Sequence, residues 1–343
     1  MSRPGALDGT TVIDLSTVGP APRATRILAD YGARVIKISA PKPGVQIEPA
    51  KWAYGGGRGW TPKKIDLKSE EGRELFFGLV KGSDVVVESF RPGVIDRLGI
   101  GFEAARAVNP KIIYCSTSGY GQNGPAAKWA GHDLNYLAMG GYLAMSGRRA
   151  DGGPALPGAT VADAAAGGMH AALAVMAALL RRERTGAGEH LDVSVAEGVL
   201  SLMALAIEEH LATGAEKAPG GDLLTGRYAC YDVYRARDGK WIAVGAIEPQ
   251  FWANLCEQLG CERWIAHQTD DAVQAEVRKD LAAAFATRDR DDWVAQLAPA
   301  DTCVAPVYEI AELVRDPHFA ARGAFANGRV APVLAGQRGA EER

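Results

Sequence analysis

The sequence predicts an α/β protein: a parallel sheet layered with helices, followed by a smaller α/β lobe. Three observations carry that expectation. A β-branched run at 11–15 is followed by a helical stretch at 20–31 and a second apolar run at 33–38. This is a βαβ unit, which requires parallel strands. Two further apolar runs, 84–88 (Val85, Val86, Val87) and 111–115, each follow a helical stretch, at 70–81 and 102–108. Beyond a polar stretch at 213–221, the runs 229–235 and 240–246 alternate around Asp238-Gly239, a hairpin turn signal.

The first layer is thus Rossmann-like, but it lacks the dinucleotide fingerprint. Ser16-Thr17-Val18-Gly19-Pro20-Ala21-Pro22 follows the first strand where GxGxxG would stand, which disfavours an NAD site. Residues 134–214 read as consecutive helices with one strand-like break at 190–195, after Thr185-Gly186-Ala187-Gly188. In the second block, helices are expected at 249–258, 271–286 and 291–296, and 304–307 begins a return segment. The expected organisation is a large domain at 1–212, a linker at 213–225, a small α/β domain at 226–310, and a segment at 311–343 returning towards the large domain. A chain of 343 residues suits this division.

Composition narrows the function. Hydrophobic residues at 47% and charged residues at 23% suit a soluble globular chain, and a net charge of −3 argues against general nucleic-acid binding. The five cysteines form no CxxC pair, and Cys256 and Cys261 are not spaced as zinc ligands usually are. Reduced, mostly buried thiols and a cytoplasmic location are expected. The six histidines form no HExxH, so no metal site is expected. The polar first eight residues do not read as a signal peptide. The stretch 162–180 imitates a membrane span but contains Asp163 and His170, is rich in Ala and Gly, and ends in Arg181-Arg182-Glu183-Arg184. It reads as a buried core helix, with no membrane span.

Four groups of residues are candidates for chemistry. His132 stands in Gly131-His132-Asp133-Leu134-Asn135-Tyr136, between a glycine-punctuated loop and a helix. There the first backbone N–H groups are unpaired and the local dipole is positive. It is either a catalytic imidazole beside an anion-stabilising pocket or an ordinary helix cap. Asp163 lies in a run of small apolar residues with no cation near it in sequence, so it either caps the helix it begins or lines a cleft. Glu248 ends an apolar strand and precedes Pro249; it is either a first-turn glutamate or a functional strand-end residue. Lys37, Arg58 and Arg91 are either phosphate clamps or solvated loop charges.

In order and spacing, six pieces together resemble one family. They are Ile27-Leu28-Ala29-Asp30-Tyr31-Gly32-Ala33, Asp66-Leu67-Lys68, Glu88-Ser89-Phe90-Arg91-Pro92-Gly93, Ser118-Gly119-Tyr120-Gly121-Gln122, the His132 segment, and Val244-Gly245-Ala246-Ile247-Glu248-Pro249-Gln250-Phe251. The chain resembles the family III CoA-transferase superfamily (CaiB/BaiF type) from Val12 to about Phe325, and within it the α-methylacyl-CoA racemases. The resemblance implies an interlocked homodimer acting on an acyl-CoA, with no cofactor beyond the CoA moiety of the substrate. Lys37, Arg58, Arg91 and Tyr136 would hold CoA. His132 and Asp163 would serve the two faces of the carbon beside the thioester, Glu248 would orient His132, and the backbone N–H of Asp133 would be an oxyanion donor. Arg227, where the family carries a different residue, would narrow the acyl pocket or meet an acidic acyl group. The alternative is a CoA transferase with Asp163 as nucleophile. A third reading is an acyl-CoA-binding protein without turnover.

Overall fold

The structure, a computed structural model, describes residues 5–41, 59–326 and 328–333. Arg58 lies outside the described residues. Contacts divide the chain into two compact units. The first takes the described residues up to 144, with 155–215 and those from 323 onward; the second takes 145–154 and 216–322.

The first unit runs β1 (Thr11–Asp14), α1 (Pro20–Asp30), β2 (Arg34–Ser39), β3 (Trp60–Lys64), α2 (Glu70–Val80), β4 (Val85–Glu88), α3 (Val94–Arg97), α4 (Phe102–Val108) and β5 (Ile113–Ser118). It continues through α5 (Asp133–Met139), α6 (Tyr142–Met145), a π-helical turn (Ala162–Met169), α7 (His170–Thr185), β6 (His190–Ser194), α8 (Val195–Leu202) and α9 (Ala204–Thr213). The six strands form one parallel sheet in the order β3-β2-β1-β4-β5-β6.

Apolar runs form the central strands because both sheet faces are covered. Side chains alternate between faces along each strand. Val12, Val35, Val85, Val87, Ile113 and Cys115 therefore pack with Leu28, Ala171 and Val175. Ile13, Ile36, Ile38, Val86 and Tyr114 pack on the other side with Phe76, Val80 and Ile100.

Two strand features differ from expectation. β3 was not anticipated: Trp60-Thr61-Pro62-Lys63-Lys64 has no apolar run, and four of its five residues are exposed. It is an edge strand, where Pro62 and lysines are tolerated. β5 begins later and extends further than the apolar run, because Ser116, Thr117 and Ser118 are buried strand residues. Asn109 instead turns the chain before it, donating to the Val80 and Ser83 carbonyls and accepting from the Lys111 N–H.

The apolar helix exists but begins as a π-turn. Among the described residues, 162–185 is the one helix long and apolar enough to cross a membrane. Here it is a core helix, with Ala171, Ala172 and Val175 buried under the sheet.

The second unit holds β7 (Tyr231–Arg235), β8 (Trp241–Gly245), α10 (Pro249–Leu259), α11 (Gln274–Phe285), α12 (Arg290–Leu297) and β9 (Val304–Pro306). The antiparallel sheet is ordered β7-β8-β9. One face carries Tyr234, Ile242 and Val244 into a core with Trp252, Leu255, Phe285 and Trp293, while Val233 and Trp241 are exposed. The segment at 304–307 is therefore not the start of a return. It is the third strand, fixed by the register Ile242↔Pro306 to Val244↔Val304. The helices α13 (Ile310–Leu313) and α14 (Pro317–Ala321) stay with this unit, where Glu312 pairs with Lys240 and Arg290. A short hairpin of β10 (Phe325–Ala326) and β11 (Arg329–Val330) follows.

Candidate active site

In the first unit, strand order reverses between β1 and β4, and a cleft of about 550 Å³ opens at the carboxyl ends of β1, β4 and β5. A switch point of this kind is where open α/β sheets bind ligands, and the size suits a small molecule. The cleft wall runs through 15–20 after β1, Ser89 and Phe90 after β4, and 117–119 at the end of β5. His132, Tyr136, Thr160, Asp163 and Arg23 complete it.

The β1 loop is fixed by a buried polar network. Asp14 accepts hydrogen bonds from the Ser16 N–H at 2.8 Å, the Ser16 hydroxyl at 2.6 Å and the Thr25 hydroxyl at 2.6 Å. Lys37 closes it, 2.9 Å from Asp14 and 3.0 Å from Ser16 Oγ, with its ammonium over the Trp60 ring. Burial pulls the Lys37 pKa down, against the opposing pull of Asp14. Lys37 is thus paired rather than a solvated loop charge, and its charge holds the loop lining the cleft. Gly19, at φ +87°, ends that loop in a conformation that favours glycine and lets α1 begin at Pro20.

His132 occupies the cap position of α5 with an extended backbone, and its N–H donates to Asn135 Oδ1 at 3.0 Å. The Tyr136 hydroxyl donates to the Gly131 carbonyl at 2.6 Å and pins the approach to His132. Its ring is buried against Tyr120, and a Cβ on Gly119 or Gly131 would lie 2.3 or 2.7 Å from it. These glycines are therefore packing requirements. Burial pushes the Tyr136 hydroxyl up to about 12, with Asp163 adding to the effect. The imidazole is solvent-exposed and the Asp133 N–H is a first-turn amide without an intrahelical acceptor.

Asp163 lines the cleft and does not cap its helix: Val161 is the cap residue, already helical. The Asp163 N–H instead donates to Asp133 Oδ1 at 2.8 Å. The cation missing from its sequence neighbourhood is Arg23, whose Nη1 lies 3.6 Å from Asp163 Oδ2. Burial raises the Asp163 pKa; Arg23 opposes this, Asp133 adds to it, and His132 opposes it. Asp163 and His132 thus bear on each other electrostatically from one cleft.

The π-turn delivers the carboxylate to this point. A Cβ on Gly167 would meet Pro20 at 2.5 Å, and one on Gly168 would meet the Arg23 Cβ at 2.8 Å, so α1 lies almost against the turn. On the other side, Gly198 of α8 leaves room for the Ala166 carbonyl. His170 Nδ1 sits 3.1 and 3.0 Å from the Ala165 and Ala166 carbonyls, two acceptors, so this nitrogen carries the hydrogen. Such turns recur at functional sites.

Arg91 is exposed, and its charge bears on Tyr136. Glu248 belongs to the second unit, exposed at the cap position of α10. Arg227 is engaged: Nε and Nη2 lie 3.0 and 2.7 Å from the two Asp271 oxygens, and the guanidinium stacks on Tyr228. Its charge goes to Asp271, so an acidic acyl group meeting Arg227 would compete with that carboxylate. Sequence reasoning missed Arg23, Thr160 and the hydroxyl-rich end of β5. Ser118 Oγ is buried with no hydrogen-bond partner among the described residues. The available signal was Ser116-Thr117-Ser118, three hydroxyls closing an apolar strand.

Residues 7–333 match the model of CoA-transferase family III. The chain is 36% identical to an alpha-methylacyl-CoA racemase of Homo sapiens over 321 residues, 93% of this chain and 82% of the human protein. It is 34% identical to an acetyl-CoA:oxalate CoA-transferase of Acetobacter aceti over 336 residues, 93% of this chain and 85% of that protein. The crystal structure of a CAIB/BAIF family protein from Brucella suis superposes with a TM-score of 0.79 at 31% identity, covering 94% of this chain and 89% of that one. The cleft at the switch point thus sits in a chain that belongs to CoA-transferase family III.

Proposed function

We propose that the protein racemises 2-methyl-branched acyl-CoA thioesters by exchanging the proton on the carbon next to the thioester. The observation that carries this reading is the pairing of two bases, His132 and Asp163, in one cleft. A CoA transferase uses one nucleophilic carboxylate and needs no second base. In the proposed reaction one of the two residues takes the α-proton, and the electron pair of the broken C–H bond moves onto the thioester oxygen. The other residue returns a proton to the opposite face. The Asp133 N–H is the proposed donor to the enolate oxygen, and Glu248 the proposed orienting partner of His132. Arg91 and Tyr136 are proposed to contact CoA. No cofactor beyond that CoA takes part in this scheme.

A homodimer belongs to the same proposal. Met169, Leu173 and Leu180 are exposed on one face of a single helix, and Leu205 and Leu211 on α9 are exposed too. Light scattering would read a dimer mass if it is right and a monomer mass if it is not. The cysteines are all unpaired, which suits the proposed cytoplasmic location.

The alternative, CoA transfer through an Asp163 anhydride, is favoured by the transferase relatives. Proton NMR of 2-methylacyl-CoA in D₂O separates the two. Loss of the α-proton signal without an acceptor acid supports racemisation. CoA transfer to a free carboxylate without that loss would sink it. If neither occurs, turnover itself is refuted and the non-catalytic binding reading takes its place.

A further inference from the structure

We propose that Arg23 is a positioning residue for Asp163, fixing its direction and holding it ionised so that it can take a proton at neutral pH. This rests on the two-base reading above. The guanidinium is anchored on both sides: Nη1 donates to the Gly19 carbonyl at 2.7 Å and Nη2 to the Thr160 hydroxyl at 2.7 Å. Between these anchors, Nη1 faces Asp163 Oδ2 at 3.6 Å, in a setting where the two side chains are 22% and 16% exposed. The planar fork is thus immobilised by neutral acceptors, and its charge is directed at the carboxylate.

The surroundings of Asp163 make such a cation necessary. Its neighbours on the π-turn are Ala162, Ala164 and Ala165, which offer the carboxylate no side-chain hydrogen bond. From the start of α5, Asp133 and Tyr136 face it with negative or neutral groups, and His132 faces it with a base that must itself change charge in the reaction. Arg23 keeps its charge at every working pH. The close approach of α1 at Gly167 and Gly168 brings it there, so the same glycines that permit the packing set the electrostatics.

In the two-base scheme one of Asp163 and His132 carries the proton while the other is free to accept one. Adding a second proton defines the acid limb of the rate profile and falls on Asp163. Removing Arg23 favours protonated Asp163, so the acid limb moves to higher pH. Arg23→Gln is therefore expected to lower the rate about tenfold on the acid side of the profile, with a smaller effect at high pH. Arg23→Lys keeps the charge without the fork and should restore most of the acid limb. Thr160→Val removes one anchor outside the packed surface of α1 and should shift the limb in the same direction by less.

The direct test needs no turnover. The carboxyl carbon of Asp163, labelled with ¹³C and assigned by its loss in Asp163→Asn, is titrated by NMR in the unaltered protein, Arg23→Gln, Arg23→Lys and Thr160→Val. A higher midpoint in Arg23→Gln, recovered in Arg23→Lys, is the expected result. An unchanged midpoint in both Arg23→Gln and Thr160→Val overturns the proposal. Absence of α-proton exchange in the unaltered protein would instead overturn the racemase reading and leave the titration result standing.

Discussion

In the second unit, charged side chains paired at the surface include Arg227 with Asp271 and Arg237 with Asp289. In the first unit, several sit buried or half-buried beside the cleft: Asp14 with Lys37, Asp163 with Arg23, and Glu88 at the end of β4. Glu88 is 1% exposed, accepts the Phe90 N–H at 2.6 Å, and is pushed by burial to about 7. Exposed pairs add little to stability, whereas buried charge is costly and is kept where it positions or reacts. The contrast separates charge that fastens a fold from charge that shapes a site.

The largest effects are expected at the cleft. His132→Ala and Asp163→Asn should each lower α-proton exchange by roughly 10²–10⁴-fold, the usual contribution of a positioned acid or base. The melting temperature should stay near that of the parent. An unchanged exchange rate in His132→Ala removes it from the mechanism, while retained CoA transfer in the same variant points to the alternative reaction.

Arg290 departs furthest from the surface pattern. It lies in the second unit but is 2% exposed, with both terminal nitrogens 2.8 Å from Glu312 and one 2.9 Å from the Val307 carbonyl. Arg290→Met should destabilise by about 1–3 kcal/mol in denaturant unfolding, because it takes the donor from the Val307 carbonyl and leaves Lys240 as the cation at Glu312. A loss below about 1 kcal/mol would class it with the surface pairs.

Glu88 gives a pH-dependent test. Its folded pKa, about 7, stands above the ordinary 4.5, so the folded state holds the proton more tightly than the unfolded chain. Its stabilising effect is complete below 4.5 and is lost as pH rises through 7. Glu88→Gln should therefore change stability little at pH 4.5 and raise it by no more than about 3 kcal/mol at pH 8. Equal effects at both pH values would show that Glu88 does not titrate in this window. The smallest effect belongs to the surface: Arg227→Gln should leave the denaturant midpoint nearly unchanged, and a clear drop would mean the Asp271 pair fastens more than the surface.

Legibility followed the same divide. β1, β2 and β4 were readable because a strand buried on both faces must be apolar throughout. β3 was not, because an edge strand needs little apolar content. His132, Asp133 and Asp163 were found as residues, but the hydrogen bond joining Asp163 to Asp133 spans 30 positions and leaves no local signal. Arg23 was hidden for the same reason: in the sequence it is an ordinary first-turn arginine after Pro22. Residues 145–154, which join the second unit, carry no periodicity that sets them apart from the helices around them.

The π-turn at Ala162–Met169 has one more consequence. A wider turn holds one residue more than the α-helical path, and each residue rotates a helix by about 100°. Deleting a single residue there could be absorbed by tightening the turn, leaving α7 and its sheet contacts in place while swinging the carboxylate away from its base partner. The segment is thus a length-adjustable joint, where the smallest possible indel would redirect chemistry without rebuilding the scaffold.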